Sequence, residues 1–99
     1  MKKTVEFTVK ASDGVRARKI AVNDRQVDLT NDNGAIDLKA NTDHVLVWWF
    51  EGNPGDTLSI LGETKNSNGG RDQVVVEIPP IEIIEGTIEA GRMPFSFTL

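Results

Sequence analysis

The stretch HVLVWWF, His44 to Phe50, decides how this chain folds. It is apolar, rich in β-branched and aromatic residues, and bounded by turn-forming ANTD before it and EGNPGD after it, which predicts a β-strand. Successive side chains of a strand point to opposite faces. One face of this strand therefore carries His44, Leu46, Trp48 and Phe50, and the other carries Val45, Val47, Trp49 and Glu51. Both faces are apolar, yet a sandwich strand has one inner face. Trp48 and Trp49 cannot enter the same core, so one of them needs a cover from elsewhere.

Outward from this strand, period-two alternation runs through the chain, and no long segment keeps a helical period. TVEFTVK sets Val5, Phe7 and Val9 against Thr4, Glu6, Thr8 and Lys10. Ile20 and Val22 face inward on a strand from about Arg16, and Asn23 and Asp24 make the tight turn that follows, because both residue types tolerate left-handed torsions. Val27 and Leu29 form a short strand, and Asn33-Gly34 is the dipeptide expected at the next two-residue hairpin. Ile36 and Leu38 return, and Leu58 and Ile60 belong to a later inward row.

Residues 64 to 72 contain no aliphatic side chain and read as an exposed loop. QVVVEI is interrupted by Pro79 and Pro80, where the chain either changes sheets or follows an edge, and a bulge or break is expected near Ile84 to Gly86. FSFTL places Phe95, Phe97 and Leu99 together. The expected fold is all-β: a single antiparallel β-sandwich of eight or nine short strands spanning residues 1 to 99, of Ig-like or transthyretin-like type.

The segment IAVNDRQVDLTNDNGAIDLKANTDHVLVW, residues 20 to 48, resembles carboxypeptidase-regulatory-like and transthyretin-like β-sandwich domains in its rhythm of strand, turn, Asn-Gly and strand. Where that family usually has Asn-Gly in the first turn, this chain has Asn23-Asp24. The resemblance implies a non-catalytic, Ig-like accessory domain and brings no functional residues with it.

Composition narrows the chemistry. Eleven Lys and Arg against 15 Asp and Glu give a formal charge of -4, which repels phosphate backbones and argues against a nucleic-acid partner. The basic run RARK, Arg16 to Lys19, reads as a solvated strand edge guarded by charge. With no cysteine, disulfides, thiolate metal sites and a Cys nucleophile are excluded, while the compartment stays open. The amino terminus lacks the apolar run of a signal peptide, and no segment approaches the length of a membrane span, so a soluble domain without a membrane partner is expected.

No catalytic group stands out. The one histidine, His44, falls at the end of an apolar strand face, and no serine sits in a nucleophile elbow. Asp28, Asp32, Asp37 and Asp43 crowd one region, but placing Gly34 at the sixth position of an EF-hand loop puts Leu29 first and Ala40 last, so the register fails. No phosphate-cradling loop is present, and the glutamates at 77, 82, 85 and 89 read as solvated. No cofactor or metal is expected.

What remains is the uncovered face. Its cover is a segment of the same chain, around Pro79 and Pro80 or Arg92 to Pro94; a second protein surface, including another copy; or a sugar ring stacked on an indole. The expected function is a non-catalytic module for protein binding or self-association, with Trp49, Val45 and Val47 as the contact face and Asn68 and Arg71 as rim residues. The alternative is a carbohydrate-binding module using Trp48 or Trp49 as its platform.

Overall fold

Alternation becomes two sheets in the computed structural model, which describes residues 1–98. Strands β1 (Lys2–Ala11), β4 (Asn33–Lys39), β6 (Thr57–Lys65) and β7 (Arg71–Glu82) form one antiparallel sheet in the order β4-β1-β6-β7. Strands β2 (Ala17–Val22), β3 (Arg25–Val27), β5 (His44–Glu51) and β8 (Ile88–Phe95) form the other, ordered β3-β2-β5-β8. The described residues include no helix, and so none long and apolar enough to cross a membrane. Leu99, expected beside Phe95 and Phe97, lies outside the described residues.

The inward rows interlock as the alternation demands. Val5, Phe7 and Val9 of β1, Leu58 and Ile60 of β6, Ile20 and Val22 of β2, and Leu46, Trp48 and Phe50 of β5 are buried together. Phe7 of one sheet meets Phe95 of the other edge to face, with ring centroids 6.3 Å apart. Each large aromatic needs room beside it, and glycine supplies it. Trp48 pairs with Gly91 and Phe7 with Gly62 in the ladders. A Cβ on Gly91 would stand 2.3 Å from the Trp48 ring, and one on Gly62 would stand 2.8 Å from Phe7. Both rings therefore lie across a neighbouring strand that has no side chain to displace them.

Turn chemistry follows the same dipeptide twice. Asn23 (φ 51°) and Asp24 (φ 66°) join β2 to β3 as expected. The turn leading into β4 is Asn31 (φ 52°) and Asp32 (φ 65°), not Asn33-Gly34. Thr30 and Asn33 exchange backbone hydrogen bonds across it, and Gly34 is already in β4 opposite Phe7. Asn23 does further work through its side chain: its Oδ1 accepts from Val45 N–H at 3.0 Å and its Nδ2 donates to His44 Nδ1 at 2.9 Å.

The RARK stretch does border a free edge, because β3 pairs only with Ile20–Val22 and leaves the residues before them with β5 on one side alone; there Arg18 donates from Nε to Asp32 at 2.7 Å. One other expectation is corrected. The long polar loop shortens to residues 66–70, because Thr64 is buried and its hydroxyl accepts from Gln73 N–H at 3.1 Å, which carries the hairpin past the last aliphatic residue. Of the two courses expected at Pro79 and Pro80, the chain takes the edge: both lie within edge strand β7, where the register with β6 slips, and the crossing between sheets comes later, through Ile83 to Thr87.

At the end of the sandwich where β1 leads into β2, one carboxylate ties two connections together. Asp56 accepts from Asn53 N–H at 2.7 Å and from the Ser12 hydroxyl at 2.8 Å, and the Ser12 oxygen in turn accepts from Thr57 N–H. The Asn53 amide, then the Ser12 hydroxyl, and more weakly the Arg16 charge, hold the Asp56 carboxyl below its ordinary value of 3.8.

Two outcomes are expected from this packing. Trp48→Ala should lower unfolding stability by about 3–5 kcal/mol and Trp49→Ala by less than about 1 kcal/mol, read from urea midpoints. Because the folded Asp56 pKa is depressed, its stabilisation is complete above the unfolded value and is lost as pH falls through the folded one; the stability gap between wild type and Asp56→Asn should therefore narrow on acidification below about pH 4. Chemical denaturation at neutral pH and at low pH checks this.

Candidate interaction face

The two outer faces of the sandwich differ in kind. On the β4-β1-β6-β7 sheet most outward residues are polar and several pair with one another: Thr4 donates to Asp37 at 2.7 Å, Thr8 to Asn33 at 3.0 Å, and Lys65 meets Glu6 at 3.0 Å. Glu63 and Arg71 pair at 3.3 Å on the same sheet. Its outward apolar members, Leu61 and the 53% exposed Val74, lie toward the β6–β7 side.

The β3-β2-β5-β8 sheet presents the opposite. Ladder registers place Val45 beside Pro94, Val47 between Ala21 and Arg92, Trp49 between Lys19 and Ala90, and Glu51 between Ala17 and Ile88. This outward row is apolar along its centre, with Val47 40% and Ile88 52% exposed and Trp49 and Val45 half-buried. The small side chains of Ala21 and Ala90 leave shallow grooves on either side, one walled by Lys19, Gln26, Val47 and Trp49, the other by Asn23, Val45, Val47 and Arg92. Two cations, Lys19 and Arg92, flank the strip, and neither forms an ion pair among the described residues. Glu51 is drawn toward Arg16 at one end, 3.7 Å away.

Of the expected contact residues, Trp49, Val45 and Val47 come together on this face, and Trp48 is the indole that goes inside, 9% exposed. Its Nε1 is buried without a hydrogen-bond partner among the described residues, a cost of roughly 1–3 kcal/mol that ring burial offsets. Asn68 and Arg71 do not join the site, since both lie on the β6–β7 hairpin of the other sheet and Arg71 is engaged by Glu63. The self-covering arrangement is also corrected: Pro79 and Pro80 belong to β7, and Arg92 to Pro94 lie beside β5 as part of β8 instead of folding over it. Sequence reasoning missed Lys19, Ala21, Ala90 and Arg92, whose place beside Trp49 and Val47 is set by strand pairing alone.

The titratable clusters are otherwise engaged. His44 is 4% exposed, stacked on Phe97 with centroids 6.0 Å apart, and donates from Nε2 to the Lys39 carbonyl at 2.7 Å while Nδ1 accepts from Asn23. Both ring nitrogens are thereby used. The four crowded aspartates diverge: Asp32 pairs with Arg18, Asp37 accepts from Thr4, and no group of metal-ligating side chains converges among the described residues. No protein-family model matches the chain, and comparisons with curated proteins and with solved structures return no match.

Proposed function

We propose that this chain is a non-catalytic β-sandwich that binds another protein through the outer face of the β3-β2-β5-β8 sheet. The observation that carries the reading is the contrast between the faces: one outer surface is mainly polar with several of its groups paired to one another, the other leaves Val47, Trp49, Ala90 and Ile88 around two cations that form no ion pair among the described residues. Apolar centres with a charged rim and a tryptophan anchor are the composition of protein interfaces. The engagement of both His44 nitrogens and of the Ser12 hydroxyl supports the non-catalytic part. A sugar platform has weaker support, because Trp49 is the one aromatic residue among those described that is not buried, and it stands without a second ring.

Within the sandwich class, the strand order favours a transthyretin-like over an Ig constant-type arrangement. In the latter the first two strands are neighbours, whereas here β1 pairs with β4 and β6.

Substitution separates the two faces. Trp49→Ala and Val47→Glu should each weaken capture of the protein partner by about tenfold or more, as loss of an interface anchor does, while Leu61→Ala on the other outer face should leave it unchanged. Quantitative pull-down with the folded variants checks this. Quenching of Trp49 fluorescence by a polysaccharide, with no protein captured, would replace the protein reading with the sugar one.

A further inference from the structure

The sheet that carries this face also ends in an edge that is open from Ile88 to Arg92. A strand edge is a row of free N–H and C=O groups that invites pairing, and most folds blunt it. Three of the four edges here are blunted. Strand β3 has only three residues, and the part of β2 that it leaves unpaired carries Arg18 and Lys19. Strand β7 slips register against β6 three times and contains Pro79 and Pro80. Strand β4 gives the Asn33 N–H to Thr30 and the Lys39 carbonyl to His44.

Strand β8 runs beside β5 for eight residues without a slip. The hydrogen bond from Gly52 N–H to the Thr87 carbonyl, 2.9 Å, sets the phase of that ladder. In an antiparallel pair, bonded and non-bonded positions alternate, so Glu89, Gly91, Met93 and Phe95 bond to β5. Ile88, Ala90 and Arg92 then turn their backbone groups to the free edge. Pro94 falls in the same outward phase, where its missing N–H costs no ladder bond with β5 and blunts the edge at that end, leaving Ile88 to Arg92 open. The side chains of these outward residues are exposed and lie on the same face as Trp49 and Val47.

We infer that the free edge of β8 takes up an extended acidic segment of another protein as an added strand. The inference rests on the reading of the Trp49 face as a protein-binding surface and names the partner's chemistry. An added strand pairs its backbone with Ile88, Ala90 and Arg92, continues the apolar row with alternate side chains, and sets a carboxylate against Arg92. Charge complementarity selects this occupant over a second copy. A second copy offers Ile88, Ala90, Arg92 and Pro94 at the same positions, with no acid to meet Arg92 and no N–H from Pro94.

The test uses two blocked eight-residue peptides, one with valine and glutamate sharing a face above threonines, the other with lysine for glutamate. Amide hydrogen exchange by NMR reads the result. With the glutamate peptide, exchange at Ile88, Ala90 and Arg92 should slow, and the lysine peptide should bind about fivefold more weakly. Ala90→Pro, which removes an N–H that is free in the isolated fold, should abolish protection, and Arg92→Glu should reverse the preference between peptides. Failure of both peptides at millimolar concentration, equal binding of both, or protection at β4 or β7 instead would overturn the inference. So would protection of the same amides without peptide that grows with protein concentration, which identifies a second copy. If the glutamate peptide binds β8 while Trp49→Ala leaves partner capture intact, the edge stands and the reading of the face falls.

Discussion

The geometry of a strand allows its side chains two directions and no others, and β5 fills both with apolar groups. That constraint organises the molecule. Leu46, Trp48 and Phe50 complete the core, packed with Ile20 and Val22 of β2 and with the β1 and β6 rows across the sandwich. Val45, Val47 and Trp49 are left on the other side, where the neighbours are short or charged. Burying what remains exposed of an aromatic and a branched side chain is worth roughly 2–3 kcal/mol, a substantial share of what holds a domain of this size together. That unused free energy stands on a continuous apolar strip, whereas the opposite outer face is mainly polar.

Edge management points the same way. The fold spends three register slips and two prolines on β7 and shortens β3 to three residues, yet β8 stays regular beside the apolar strip. The two features, open face and open edge, belong to one sheet and share the residues Ala90 and Arg92. A partner engaging one is placed to engage the other. The acidic balance of the chain adds to this, because Lys19 and Arg92 form a small positive island on a molecule of formal charge -4.

The class of fold was legible because alternation survives in β1, β4, β5 and β6, where aliphatic and aromatic side chains such as Val5, Phe7, Ile36, Leu38, Leu46, Phe50, Leu58 and Ile60 recur at every second position. It failed where the physics is tertiary. Strand β8, IEAGRMPF, carries Gly91 and Pro94 and reads as a breaker-rich stretch, but the glycine is there to receive the Trp48 ring and the proline sits in an outward phase. The hairpin into β4 turns at Asn31-Asp32 because two polar residues with left-handed tolerance precede the more familiar Asn33-Gly34 pair. For the site, the sequence showed that one tryptophan must face outward without showing which. Both parities of β5 are equally apolar, and the choice lies in the partners across the ladder, Gly91 for Trp48 and Ala90 for Trp49, which no local pattern reveals. Asn68 and Arg71 were grouped with the face on composition, whereas strand order sends their hairpin to the other sheet.

The most direct measurement is the exchange rate of the two indole N–H protons in the dilute, isolated protein, followed by NMR. One slow indole, Trp48, and one fast, Trp49, are expected, with the assignment made from Trp49→Phe. Two slow indoles under conditions where the protein is monomeric would mean that the chain covers both sides of β5 itself, leaving no open face for a partner.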